Sequence, residues 1–145
     1  MSQPFADKFY KVVTVMPDGK RLSFAALYHC PEFNRPHIQS GLILEYIPGK
    51  VTKPKIEGSK LFVCSAVADA YTLAGLTEQI WECEITNPSW VRNVPSLLPA
   101  PDSIHEFWHE GCEEVDKGKG LCVVDSVKLI RRVDNTEIIS NISPV

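Results

Sequence analysis

The stretch Leu121–Val133, LCVVDSVKLIRRV, decides how the chain is read, because it is the longest β-rich run and a polar pair, Asp125-Ser126, breaks it in the middle. Such a break predicts a bulge or bend within the strand. A lone carboxylate in a run that otherwise reads as buried must find hydrogen-bond partners or face a cavity, which makes Asp125 a candidate binding residue. The basic end of the run, KLIRR, reads as a solvated strand end, where lysine and arginine discourage unwanted pairing.

Upstream, FYKVVTV and RLSFAALY flank MPDGK, whose Pro17-Asp18-Gly19 supplies a preset φ, a local side-chain bond and a positive φ. They are expected to form an opening hairpin. HCPEFNRPHIQSG carries two prolines and no period, so a loop is expected. LILEYI, which contains the candidate binding residue Tyr46, follows as a third strand, and KVTKPKIEGSK as a polar connection. KLFVC is a continuous apolar run, the pattern of a central strand covered on both faces. Ser65 stands at an N-cap position before Val67, Ala70, Tyr71 and Ala74 at helical spacing, with Gly75 placed to end the helix.

IWECEI alternates, with Trp81, Cys83 and Ile85 on one face and Glu82 and Glu84 on the other. TNPSWVRNVPSLLPAPD is proline-rich and should wrap the surface, anchored by Leu97-Leu98 and by Trp90, a further candidate binding residue. A second helix is expected to start at Pro101-Asp102-Ser103 and to end by DKGKG. The sum is α+β: a mostly antiparallel sheet of about six strands with two short helices packed on it, as one domain over 1–145 with a frayed tail at 134–145.

A chain of 145 residues can bury a single sizeable core, and 44% hydrophobic with 23% charged residues is an ordinary globular balance. Fifteen basic against eighteen acidic residues leave a net charge of −3, which disfavours nonspecific binding to nucleic acid or to anionic membrane surfaces. The five cysteines form no C-x-x-C pair, and Cys64 and Cys83 sit inside apolar runs, the usage of a reducing compartment. The opening residues lack a secretory pattern, and no apolar run approaches the ~20 residues of a membrane span, so a cytoplasmic protein is expected.

One stretch spells a chemistry. HEFWHEGC, from His105 to Cys112, contains His-Glu-x-x-His, in which two imidazoles share a helix face to hold zinc while the glutamate serves the metal-bound water. His105 and His109 are therefore the candidate metal ligands, and a zinc-dependent hydrolase using them with Glu106 is the alternative function. The context opposes it: proline stands four residues before His105 and glycine two after His109, which leaves one or two turns of helix. The apolar residues Ile104, Phe107, Trp108 and Val115 make a stripe toward the core that turns both histidines to a flank or to solvent. A third ligand would have to come from Cys112, Glu113, Glu114, Asp116, His29 or His37. The preferred reading is no cofactor.

Other pairs are weaker. His29-Cys30 are adjacent, and adjacent side chains diverge on an extended chain. Glu82 and Glu84 could serve as paired carboxylates but read more simply as a wet face with charge partners.

The order FYKVV, LEYIPGKVTKPKIEGSKLFVCSAVADA, IWECEI, FW and DSVKLIRRV resembles small uncharacterised proteins of bacteriophages and large DNA viruses. In those relatives the Phe107-Trp108 pair is the recurrent feature and the flanking histidines are not. The piece from Gly58 through LFVCSAVADAYTLAG to IWECEI also resembles a strand-helix-strand unit of the ADP-ribosyltransferase superfamily, whose catalytic residues have no counterpart placed here. The resemblance carries over no activity; with no complete catalytic set, a modest charge and proline-rich loops able to shape a surface, the expectation is a non-enzymatic phage or viral accessory protein of the host-cell cytoplasm. Its partner would be a host or viral protein or a small nucleotide-like ligand, and a homo-oligomer is compatible with it.

Overall fold

The computed structural model describes residues 8–24, 26, 30–92 and 107–134. Strands β1 (Phe9–Val15), β2 (Arg21–Ser23), β3 (Val51–Thr52), β5 (Glu78–Thr86) and β9 (Ser126–Arg132) form one sheet in the order β2-β1-β5-β9-β3. A second sheet has the order β4-β8-β6-β7, from β4 (Leu61–Val63), β6 (Ser89–Val91), β7 (Glu114–Val115) and β8 (Leu121–Val124). Every strand pairing is antiparallel. The chain is thus α+β and mostly antiparallel as expected, but with nine described strands in two sheets where about six in one were anticipated.

Asp125 marks the division between the two sheets. The long run bends there, so that β8 lies in one sheet and β9 in the other. Its partner bends with it: β5 leaves the first sheet after Thr86, and β6 enters the second at Ser89. Between them Asn87 takes a positive φ of 51°, which asparagine tolerates better than most residues, and Pro88 offers no N–H where the ladder lapses. The two bends are tied by Asp125 N–H donating to the Thr86 carbonyl at 2.9 Å and by a 2.7 Å hydroxyl pair between Thr86 and Ser126.

The wall then closes. Tyr10 and Cys64 exchange two backbone hydrogen bonds of 2.8 Å, which joins the end of β4 to β1. The circuit runs β1, β5–β6, β8–β9, β4 and back to β1. KLFVC was expected as a central strand, yet β4 ends its sheet; the closure and the packing on both faces account for its continuous apolar character. Leu61 and Val63 point into the main core with Phe9, Val13, Trp81, Cys83, Trp90, Val124, Val127 and Leu129, whereas Phe62 and Cys64 pack in an outer cluster. Helix α2 (Val67–Leu73) covers that cluster with Val67, Ala70 and Ala74, as the spacing predicted, but Tyr71 of the same expected stripe is exposed. The helix is flanked by Ala66 and Ala74 where Ser65 and Gly75 were expected to cap and end it.

Several expectations are corrected. HCPEFNRPHIQSG is not a loop: Pro31–Ser40 is helix α1, with a proline in the first turn, where its missing N–H costs nothing, and Gly41 in the left-handed conformation as its cap. Pro36 lies inside it and did not prevent it. LILEYI is not a regular strand; it runs beside β2 through a bridge at Leu22–Glu45, with Tyr46 N–H donating to the Arg21 carbonyl at 2.7 Å. Val51–Thr52 and Ser89–Val91, both assigned to connections, are strands. Of the expected second helix, the described part is a single π-helical turn at Phe107–Gly111, and Val115 pairs with Trp90 as a strand residue instead of extending a helical stripe. Leu97-Leu98, Ile104 and the tail beyond 134 lie outside the described residues. No described helix is long and apolar enough to cross a membrane.

Candidate functional site: a cavity walled by two lysines

In β1, Phe9, Lys11 and Val13 share one face by the period of two, and that face is the interior of the closed wall. The opposite face is buried too, since Val12 packs under α2 and Thr14 is fully covered. Lys11 consequently has no solvent side and is 6% exposed. Its Nζ donates to the Phe62 carbonyl at 2.6 Å and lies 5.1 Å from the centre of the Tyr46 ring, a cation–π contact.

Lys11, Tyr46 and Phe62 all wall one cavity of about 180 Å³, completed by Lys60, Leu61 and Trp108 among others. A cavity of roughly 150 Å³ is enough to hold a benzene ring. Among its described lining residues there are two lysines and no carboxylate. The two lysines differ in their pairing. Lys60 Nζ makes a 2.9 Å ion pair with Asp125, whereas Lys11 has no carboxylate partner among the described residues.

The nearest sulfurs do not supply the missing anion. Burial pushes the Cys64 thiol up to about 11, against the opposing pull of Lys11, and the Cys83 thiol up to about 12 for the same reasons. Both are therefore neutral thiols at physiological pH. The Trp108 indole Nε1–H is itself buried and has no acceptor among the described residues.

Of the sequence-derived candidates, Tyr46 belongs to the cavity, 2% exposed, with its ring under the lysine. Asp125 does not line it but acts on it through Lys60. Hydrogen bonds from Lys60 and from Asn87 Nδ2 at 2.9 Å hold the Asp125 carboxyl below its ordinary range. Trp90 is a core residue at the strand pairing of β6 with β7 and β8, with Lys117 5.9 Å over its ring, and it does not line the cavity.

Of the two candidate metal ligands, His105 lies outside the described residues, as do Glu106 and His29. His109 is exposed in the π-helical turn and sits against Gly58, where a Cβ would fall 2.8 Å from its Nε2. His37 rests on Phe33 in α1, ring centres 4.7 Å apart. Among the described residues no three histidine, cysteine, aspartate or glutamate side chains converge to hold a metal. Glu82 pairs with Arg131 at 3.0 Å on the outer face, as a charge-partnered residue.

The sequence reading passed over Lys11. Lys11 shares the parity of Phe9 and Val13, a signal that becomes legible only once both faces of the strand are known to be buried. A larger groove of about 610 Å³ lies between the hairpin turn and α1, lined by Met16, Leu22, Arg35, Ile38 and Glu45, and its charges are mixed. Comparison with protein-family models, curated proteins and solved structures finds no match.

Proposed function

We propose that this chain is a non-enzymatic binding protein that holds a small ring-bearing ligand in the Lys11 cavity. The observation that carries the proposal is a ring-sized space bounded by the Tyr46 ring, the Trp108 indole and a buried cation without a carboxylate partner among the described residues. Aromatic walls with a few polar groups are the usual make-up of small-molecule sites. A base-sized ring suits the space, and the remainder of a nucleotide-like ligand would extend from the mouth. With the resemblance to phage and large-DNA-virus proteins, the role is that of an accessory protein sequestering such a ligand in the host cytoplasm.

A thermal-shift panel of nucleobases, nucleosides, nucleotides and aromatic acids tests this. Ligand at a hundred times its Kd adds about 2.7 kcal/mol to the folded state. For a chain of this size that raises Tm by roughly 5–10 °C. No shift with any member of the panel would overturn the proposal.

A further inference from the structure

Resting on the reading of this cavity as a site for a ring, and replacing the nucleotide-like ligand there by a smaller acid, we infer that the ligand is a small monocarboxylate, a ring or short apolar body whose carboxylate docks at Lys11. The ammonium has three donors, and one is engaged by the Phe62 carbonyl. Nζ lies against the Phe62 carbonyl and the Tyr46 ring, and Lys11, Tyr46 and Phe62 all line the cavity, so the charge is held beside it. A buried cation favours an anion in reach, because burial strengthens the attraction that bulk water would screen.

The charge count selects a single negative charge. Two lysines wall the cavity, Asp125 neutralises Lys60, and the neighbouring thiols are neutral, which leaves one positive charge unmatched among the described residues. A phosphate with nearly two charges would leave about one of them unpaired in a mostly apolar space, whose remaining wall includes Leu44, Leu61 and Ile56. A carboxylate is planar, singly charged and small enough to leave room for a ring within about 180 Å³.

Isothermal titration calorimetry of the full chain with benzoate, benzyl alcohol and inorganic phosphate tests the inference. Benzoate is expected to bind at least tenfold tighter than benzyl alcohol, and tighter than phosphate. In Lys11→Met, which keeps the apolar stem, that preference for benzoate should disappear. Equal binding of benzoate and benzyl alcohol by the native chain overturns the carboxylate inference while leaving the cavity proposal standing. Tighter binding of phosphate overturns it likewise. Binding of none of the three, in a chain that also gives no thermal shift with the wider panel, overturns both. If Lys11→Met does not fold, the benzoate to benzyl alcohol ratio in the native chain decides alone.

Discussion

The corner at Asn87–Asp125 and the cavity at Lys11 each hold a lysine, on opposite terms. At the corner, Lys60 meets Asp125 at 2.9 Å with both side chains about a third or more exposed, 31% and 43%. In the cavity, Lys11 is covered and has a carbonyl and a ring in place of a carboxylate. The first arrangement is complete within the protein and positions strands. The second is incomplete within the described residues, and a site that is electrostatically incomplete is where a ligand can contribute most.

The largest expected effect comes from reversing the buried charge. Lys11→Glu places a carboxylate against the Phe62 carbonyl and the face of Tyr46, and should destabilise the fold by about 3–5 kcal/mol in urea titrations. Lys11→Met separates charge from packing. It loses a charge-assisted hydrogen bond worth about 1.5–3 kcal/mol but also removes the cost of burying an ammonium, so its stability should fall within about 1–2 kcal/mol of the native chain. A loss as large as that of Lys11→Glu would mean that Lys11 is a structural bolt between β1 and β4 and not a ligand-facing charge.

At the corner, Asp125→Asn should cost about 0.5–1 kcal/mol, because exposed pairs contribute little. The pH dependence has a definite sign. The folded-state pKa of Asp125 is depressed by its bonds to Lys60 and Asn87, so its contribution is full above the ordinary carboxylate pKa and is lost as pH falls through the folded value. The difference between native and Asp125→Asn chains should therefore narrow in acid, and a gap that widened below the carboxylate range would contradict the assignment.

Thiol labelling gives the smallest perturbation of all. Cys30 is exposed and should react in the native state, whereas Cys64, Cys83 and Cys122 are buried, with thiols raised to about 11, 12 and 11, and should react only on unfolding. Rapid native-state reaction of Cys64 would show that the β1–β4 seam opens.

The corner was legible in the sequence because a polar pair in an apolar run has few explanations, and Asp125 stands at the bend it predicted. Helix α2 and the opening hairpin were legible for similar reasons, spacing in one and turn chemistry in the other. Helix α1 was not, because two prolines in ten residues read as breakers; Pro31 stands in the first turn, where it sacrifices no hydrogen bond, and Pro36 inside the helix does not end it. The two-sheet division was not, since the sequence shows a bend without showing which strand bends beside it. Lys11 was hidden by its composition: one lysine in FYKVV reads as the wet position of an alternating strand until both faces are known to be covered. The His-Glu-x-x-His stretch drew attention to the right segment for another reason, since Trp108 walls the cavity while His109 is exposed.

The most direct test of the unmatched charge in the cavity is a titration of the chain with benzoate, followed through its three tryptophan indole N–H signals in a nitrogen–proton correlation spectrum. Trp108 walls the cavity; Trp90 does not, and the Trp81 indole is committed to Gln79 at 2.9 Å. A saturable shift of the Trp108 signal, larger than those of Trp81 and Trp90 and absent in Lys11→Met, is the predicted result. Three unmoved signals, or a Trp90 shift equal to that of Trp108, would contradict it.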